Sequence, residues 1–220
     1  MLTRVLTILL WAPIATAADP GLQTVLDNLR IQHDVPGVSA VVIHDNEIVF
    51  AGGSGVVDLE TRRPASADTV YYIGSVTKVL TAVLTLHLTE QNELKLDTRV
   101  PNIATTTASD PPAISVKHLL SHTSGLEREG DFGYWFSAEF PNMEALSVYL
   151  ERTRLRSTPG AELHYSNIGF AVLGQVIESA TGLSYGVALR ERVLEPLGMR
   201  ATGASGPASG VASDYTPSGR

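Results

Sequence analysis

Apolar and polar positions alternate along most of the chain with the repeat of an α-helix. Apolar residues recur every three or four positions, which places them on one face of a helix. The predicted helices run from Pro20 to about His33, from Ser75 to about Asn92, from Ser115 to Leu120, from Asn142 to about Arg152, from Asn167 to Ala180 and from Ser184 to about Leu194. Within the Ser75 helix, the residues predicted to be buried are Val79, Leu80, Val83, Leu84 and Leu86.

Two β-strands are predicted between the first two helices. Val38 to His44 and Glu47 to Ala51 are rich in β-branched residues, and Asp45-Asn46 between them is typical of a turn. The glycines from Gly52 to Gly55 predict a bulge or a sharp bend, and Val56 to Leu59 predicts a continuation as an edge strand. Two or three strands cannot make a well-covered sheet alone. The pattern therefore indicates a mixture of helix and strand in which part of the sheet is missing.

Composition narrows the class of protein. The chain has 220 residues, of which 44% are hydrophobic and 18% charged, as in a globular protein. Its net charge of −7 argues against nucleic acid or an anionic membrane surface as a partner. The sequence contains no cysteine, which excludes disulfides and a lipid-anchored cysteine.

Residues 1–17 have the features of a secretory signal peptide. Arg4 supplies the positive charge, Val5 to Ile14 the apolar stretch and Ala15-Thr16-Ala17 the small-residue cleavage site. We therefore expect a periplasmic or secreted protein with no membrane anchor after cleavage. The remaining chain divides into an N-terminal helix with the first strands (18–74), a mainly helical region (75–200) and a C-terminal segment (201–220).

Ser75 and Lys78 are the first candidate catalytic pair. Three residues apart on a helix, their side chains share one face. Serine needs a neighbouring base to act as a nucleophile at neutral pH, and a lysine amine can be that base. Of the three lysines, only Lys78 has a serine three positions before it. The alternative is that Ser75 merely caps the helix.

Two other motifs suggest different chemistry. Gly182-Leu183-Ser184-Tyr185-Gly186 fits the nucleophile elbow of α/β-hydrolases, but that motif requires a preceding strand, and a helix is predicted there. His118 and His122 have the spacing of a zinc-binding pair, but no glutamate follows His118. We therefore interpret both histidines as structural, and no metal or cofactor is predicted. A hydrolase that uses Ser184 remains an alternative hypothesis.

Four ordered motifs resemble the serine β-lactamase and penicillin-binding protein superfamily. The branch is the one that contains class C β-lactamases, D,D-peptidases and family VIII esterases. The motifs are Ile73-Gly74-Ser75-Val76-Thr77-Lys78, the segment from Val116 to Leu126, Pro159-Gly160 followed by Tyr165-Ser166-Asn167, and Glu195-Pro196-Leu197-Gly198-Met199. The resemblance implies an α/β (α+β) fold, with an antiparallel sheet flanked by helices and a helical lobe.

The resemblance also implies a mechanism. Ser75 would attack an acyl carbonyl and form an acyl-enzyme, and Lys78 would accept its proton. Tyr165, with its pKa lowered by nearby positive charge, would pass a proton to the leaving group. Asn167 would bind the substrate amide and hold Lys78 in place. Taken alone, Tyr165 could equally be a packing residue with a satisfied hydroxyl.

A third motif of this superfamily, Lys or His followed by Thr or Ser and then Gly, is absent from the sequence. The resemblance places it beyond residue 220, on strands that complete the sheet, so the chain is expected to be truncated at its C-terminus. The expected substrate is a β-lactam, a D-Ala-D-Ala peptide or an ester, and the motifs do not choose among them. The alternative function is an inactive or binding-only relative.

Overall fold

The computed structural model describes residues 19–100, 114–130 and 143–204. The predicted signal peptide, Asn142 at the start of a predicted helix and the end of the 201–220 segment lie outside these residues. The described chain falls into two compact units, residues 19–72 and residues 73–204. None of the helices in the described ranges is long and apolar enough to cross a lipid bilayer.

The first unit consists of a helix and a β-hairpin. Helix α1 spans Pro20–Gln32. It begins where the Asp19 carboxylate accepts hydrogen bonds from two backbone N–H groups of the first turn, at 2.7 and 3.2 Å. Strands β1 (Gly37–His44) and β2 (Glu47–Gly55) pair in antiparallel fashion. The hairpin follows the predicted strands closely, because Asp45 and Asn46 both adopt the positive φ that a tight two-residue turn requires.

The glycine cluster does not form the predicted bend. Strand β2 continues through Gly55, and its irregularity lies before the glycines, where Val42 and Ile43 pair with Phe50 and Ile48 and Val49 is the extra residue. The reason is close packing of backbone, since a Cβ at Gly53 would collide with the carbonyl group of Ala65. The predicted strand continuation at Val56 to Leu59 is also wrong. Only one isolated bridge forms there, from Val56 to Pro64.

The second unit is helical in its described part. A 3-10 turn at Gly74–Val76 leads into α2 (Thr77–Glu90), and α3 (Val116–Leu120), α4 (Met143–Arg152), α5 (Asn167–Thr181) and α6 (Tyr185–Leu189) follow; α6 continues as a π-helical turn over Arg190–Leu194. The predicted ends of α5 are confirmed. Ser166 caps its start by accepting a hydrogen bond from the Gly169 N–H, and Gly182 ends it at φ +69°.

The buried face of α2 differs from the prediction. Its buried residues are Thr81, Leu84, Thr85 and Leu88. Val79, Val83 and Leu86, predicted to be buried, are 61%, 43% and 48% exposed. The threonines can be buried because the hydroxyls of Thr81 and Thr85 donate hydrogen bonds to the carbonyls of Thr77 and Thr81, at 3.1 and 2.8 Å. Hydrophobicity alone therefore misassigned the core face of this helix.

Candidate active site

The 3-10 turn before α2 presents Ser75 next to Lys78. Gly74 enters the turn at φ +49°, a conformation that glycine adopts at little cost. Lys78 lies in the first turn of α2, and its Nζ donates a hydrogen bond to Ser75 Oγ at 3.3 Å. The turn thus holds an amine beside an exposed hydroxyl, which is the arrangement that nucleophile activation requires.

Tyr165 approaches the same hydroxyl from a distant part of the chain. Its phenol donates a hydrogen bond to Ser75 Oγ at 2.7 Å. Partial burial acts to raise the pKa of Tyr165, but hydrogen bonds with Lys78 and Ser75, and the positive charges of Lys78 and Arg128, outweigh that effect. The pKa of Tyr165 therefore lies below its ordinary value, which increases the fraction of phenolate, the form that can accept a proton, near neutral pH.

His122 fixes the backbone on both sides of Tyr165. The carbonyl of His122 accepts a hydrogen bond from the His164 N–H at 2.8 Å, and its Nδ1 accepts one from the Ser166 N–H at 3.1 Å. The imidazole also lies against the phenol ring, with 4.4 Å between ring centroids. This imidazole therefore positions Tyr165 and has no spare Nδ1 lone pair for a metal.

Both histidines of the predicted structural pair accept a hydrogen bond from a backbone N–H at Nδ1. For His118 the donor is Ser115, at 3.3 Å. Burial lowers the pKa of both rings, and the charge of Lys117 acts in the same direction on His118 and that of Lys78 on His122. Within residues 19–100, 114–130 and 143–204, no group of three or more His, Asp or Glu side chains could hold a metal ion.

Asn167 completes the cluster at the start of α5. Its Oδ1 accepts a hydrogen bond from Lys78 Nζ at 2.6 Å. Its Nδ2 donates to both carboxylate oxygens of Glu129, at 2.8 and 2.9 Å. Its backbone N–H donates to the carbonyl of Arg128 at 2.8 Å. The structure therefore brings together the four residues singled out from the sequence, Ser75, Lys78, Tyr165 and Asn167.

Glu129 and Arg128 are site residues that sequence reasoning missed. Arg128 Nε donates a hydrogen bond to Glu129 Oε1 at 2.8 Å, and its guanidinium lies 5.6 Å from the centroid of the Tyr165 ring. The two residues lie two and three positions after Leu126, where the motif ends. A signal was available, since two acids and an arginine directly follow a motif of the predicted site, but nothing in the sequence pairs them with Asn167.

Ser184 has the environment of a helix cap. It is the N-cap residue of α6, and the residue two positions before it, Gly182, ends helix α5. The next backbone N–H, that of Tyr185, donates a hydrogen bond to Glu178 Oε1 at 2.8 Å. A helix rather than a strand precedes the motif, so the strand-turn-helix geometry of a nucleophile elbow is not formed.

Comparison with known proteins identifies the family. Residues 22–219 match the Beta-lactamase family. The chain belongs to the β-lactamase family. The resemblance to serine β-lactamases and penicillin-binding proteins, drawn from the four motifs, is thereby confirmed.

Individual relatives agree with this assignment. The chain is 34% identical to penicillin-binding protein 4 of Amycolatopsis lactamdurans, covering 79% of this chain and 46% of the relative. It is 32% identical to esterase EstB of Burkholderia gladioli, covering 83% and 50%. The octameric penicillin-binding protein homologue of Pyrococcus abyssi superposes with a TM-score of 0.69 at 31% identity, covering 83% of this chain and 44% of that one.

These comparisons establish the fold and show how much of the relatives' length the chain covers. The solved structures confirm the predicted α/β class of the β-lactamase and transpeptidase type. The chain spans about half the length of the curated relatives it matches.

Proposed function

We propose that this β-lactamase-family chain is a serine hydrolase that forms an acyl-enzyme on Ser75. One observation carries the proposal, which is that Ser75 Oγ accepts hydrogen bonds from both Lys78 Nζ and the Tyr165 phenol, at 3.3 and 2.7 Å. Either of these ionisable groups, once deprotonated, can accept the proton of the Ser75 hydroxyl during attack. An N-cap serine needs neither group, so the alternative role for Ser75 does not account for them.

The proposed acylation proceeds in two stages. Ser75 Oγ attacks the substrate carbonyl carbon and transfers its proton to the Lys78 and Tyr165 pair, giving a tetrahedral oxyanion. The Ser75 backbone N–H, at the start of the helix, would donate to that oxyanion. The carbon–leaving-group bond then breaks, and Tyr165 protonates the departing nitrogen or oxygen. Water hydrolyses the resulting ester and regenerates Ser75.

The lowered pKa of Tyr165 supports this assignment. With an ordinary pKa near 10, a tyrosine side chain is almost entirely protonated at neutral pH, and very little phenolate is present to accept a proton. In this site, the positive charges of Lys78 and Arg128 favour the phenolate. The same phenol is close enough to Ser75 Oγ to accept the proton and return it to a leaving group there.

The proposed substrate is a β-lactam, a D-Ala-D-Ala peptide or an ester. All three present a carbonyl to the same acyl transfer, and the relatives above include a penicillin-binding protein and an esterase. The alternative is an inactive or binding-only relative that acylates slowly or not at all. We further propose that residues 1–17 direct export, so that the protein acts in the periplasm or outside the cell without a membrane anchor.

Acylation by a fluorescent penicillin, read by intact mass, tests the proposal. We expect a mass adduct in the wild-type chain and none in Ser75→Ala. Ser184→Ala is the matched control, because it removes a hydroxyl from the competing motif, and it should be acylated at the wild-type rate. An adduct that persists in Ser75→Ala, or that disappears in Ser184→Ala, would contradict the assignment of the nucleophile.

The fate of the adduct separates the two functions. Decay of the adduct over minutes, with release of the acyl group, indicates a hydrolase. Where the penicillin adduct persists, turnover of a D-Ala-D-Ala peptide or an activated ester indicates a hydrolase, and no turnover of either indicates the inactive or binding-only alternative. If a chain shown to be folded by circular dichroism gives no adduct with a penicillin, a D-Ala-D-Ala peptide or an activated ester, the proposed function is wrong.

A further inference from the structure

The orientation of the Asn167 amide is determined by the chemistry of its two partners. The ammonium group of Lys78 is a donor only, so the group that faces its Nζ at 2.6 Å must be the amide oxygen. The Glu129 carboxylate is an acceptor only, so the group that faces both of its oxygens at 2.8 and 2.9 Å must be the amide NH₂. Only one orientation of the amide satisfies both partners.

Glu129 is itself held in place. Arg128 Nε donates a hydrogen bond to Glu129 Oε1 at 2.8 Å, and the Glu129 side chain is only 23% exposed. The contacts therefore form one continuous chain, from Arg128 through Glu129, Asn167 and Lys78 to the hydroxyl of Ser75. Each link is a hydrogen bond between groups of complementary type, so a change at Glu129 reaches the nucleophile through Asn167.

We propose that Glu129 is a positioning residue, whose carboxylate fixes the Asn167 amide so that its oxygen holds Lys78 against Ser75. This inference rests on the proposed function of Ser75 and Lys78. Without the carboxylate, the amide is free to rotate and turn its NH₂ toward Lys78, where two donors would face each other. Lys78 would then lose its shortest hydrogen bond and its fixed position.

The same contacts bear on substrate binding. Glu129 accepts hydrogen bonds from the Nδ2 group of Asn167 with both of its oxygens. Because both oxygens belong to one carboxylate, a single N–H of the amide is shared between them, and the second N–H points away from Glu129 and can donate to a substrate carbonyl. The contact with the substrate amide, which the sequence resemblance assigned to Asn167, is therefore compatible with its hydrogen bond to Glu129.

Three variants test the link by its effect on acylation. Glu129→Ala should slow acylation of Ser75 by a fluorescent penicillin about 10- to 100-fold, as expected when a catalytic group is misplaced. Glu129→Gln keeps one acceptor oxygen for the Asn167 amide, so it should slow acylation less than Glu129→Ala does. Glu127→Gln is the matched control, because Glu127 accepts from Arg156 instead of Asn167, and its rate should stay at the wild-type value. Equal rates in wild type and Glu129→Ala would overturn the proposal.

An exchange of partners distinguishes this role from general stabilisation. Asn167→Asp places two carboxylates within hydrogen-bond distance of each other, whereas Asn167→Asp with Glu129→Gln restores a donor and an acceptor. The double variant should therefore be acylated faster than Asn167→Asp alone, a gain that two independent losses cannot give. A double variant no faster than the single one contradicts the link.

A measurement independent of acylation keeps the two proposals separable. The side-chain ¹H–¹⁵N signals of Asn167, identified by their loss in Asn167→Asp, should stay in place in Glu127→Gln and move in Glu129→Ala. Signals that do not move in Glu129→Ala overturn the positioning role even if the chain is acylated. Signals that move in a chain that is never acylated support the positioning role and contradict the proposed function.

Discussion

At the scale of single residues, the site depends on which group holds each proton. Ser75 Oγ accepts hydrogen bonds from both the ammonium of Lys78 and the phenol of Tyr165 in this structure. The hydroxyl becomes a nucleophile when one of these groups has lost its proton and can take the proton of Ser75. The lowered pKa of Tyr165 favours its phenolate form, which can take that proton.

Removing the Tyr165 hydroxyl tests this directly. Tyr165→Phe keeps the ring that contacts His122 and removes the hydrogen bond to Ser75, so we expect acylation to slow by about 10²- to 10⁴-fold, as is typical for loss of a general acid or base. Tyr185→Phe is the control. It removes a hydroxyl that is hydrogen-bonded only to Thr81 among the described contacts, so the acylation rate should not change. Similar rates for the two variants would contradict the role of Tyr165.

Titration of His122 makes the free energy of unfolding depend on pH. Its pKa in the folded protein is lowered by burial and by the charge of Lys78, so below about pH 6.5 the unfolded chain takes up a proton that the folded chain does not. The contribution of His122 to stability is therefore fully present above pH 6.5 and is lost as the pH falls toward the pKa of the folded state.

His122→Asn should flatten that dependence. An asparagine supplies an oxygen near the position of Nδ1 for the Ser166 N–H, tolerates the φ of +56° and does not titrate. Urea unfolding at pH 5 and pH 7 should show a smaller difference between the two values in this variant than in wild type. His33→Asn, at the exposed end of α1, is the control. An unchanged difference in His122→Asn would show that the ring does not carry the effect.

At the scale of elements, the helix that carries the nucleophile shows where hydrophobicity misleads. Leu84 is fully buried and Leu86, two residues on, is 48% exposed. Leu84→Ala should therefore lower the free energy of unfolding by about 2–5 kcal/mol, and Leu86→Ala by less than about 1 kcal/mol. Chemical denaturation of both variants measures whether Leu84→Ala loses more unfolding free energy than Leu86→Ala. Equal losses would mean that the face of α2 predicted from the sequence is also buried.

Most helix ends could be predicted because local chemistry sets them. Ser166 and Gly182 bracket α5 through contacts within a few residues, as a cap and a left-handed terminus do in general. The turn at Asp45 and Asn46 is local in the same sense. Gly53 was misread because the backbone of Ala65, which leaves no room for a Cβ there, packs onto the strand only in the folded unit.

In the candidate site, too, contacts between neighbours in sequence could be predicted and contacts between distant residues could not. Ser75 and Lys78 lie within one turn, so their meeting follows from helix geometry. The approach of Tyr165 came only from the family resemblance, since it contacts Ser75 across 90 positions. Glu129 was missed because its partner Asn167 lies 38 positions away and no local pattern joins a carboxylate to a distant amide. Long-range polar pairs need the fold before they can be seen.

At the scale of the whole molecule, we expect residues 1–17 to determine the cellular location of the protein. In the proposed secretory signal, Arg4 supplies the positive charge, Val5 to Ile14 the apolar run, and Ala15-Thr16-Ala17 the cleavage site, with alanines at the two positions that signal peptidase reads. Expressed in a bacterium, the full chain should be recovered from the periplasm with Ala18 as its first residue, as intact mass would show.

Replacing the two alanines at the cleavage site, Ala15 and Ala17, with leucines supplies the matched control. The apolar run remains, so export begins, but the site no longer fits the peptidase, and the uncleaved mass should remain with the membrane fraction. Wild-type chain that keeps Met1 and stays in the cytoplasm would contradict export. In that case the substrates to test first would be intracellular esters, because peptidoglycan peptides are presented outside the cytoplasm.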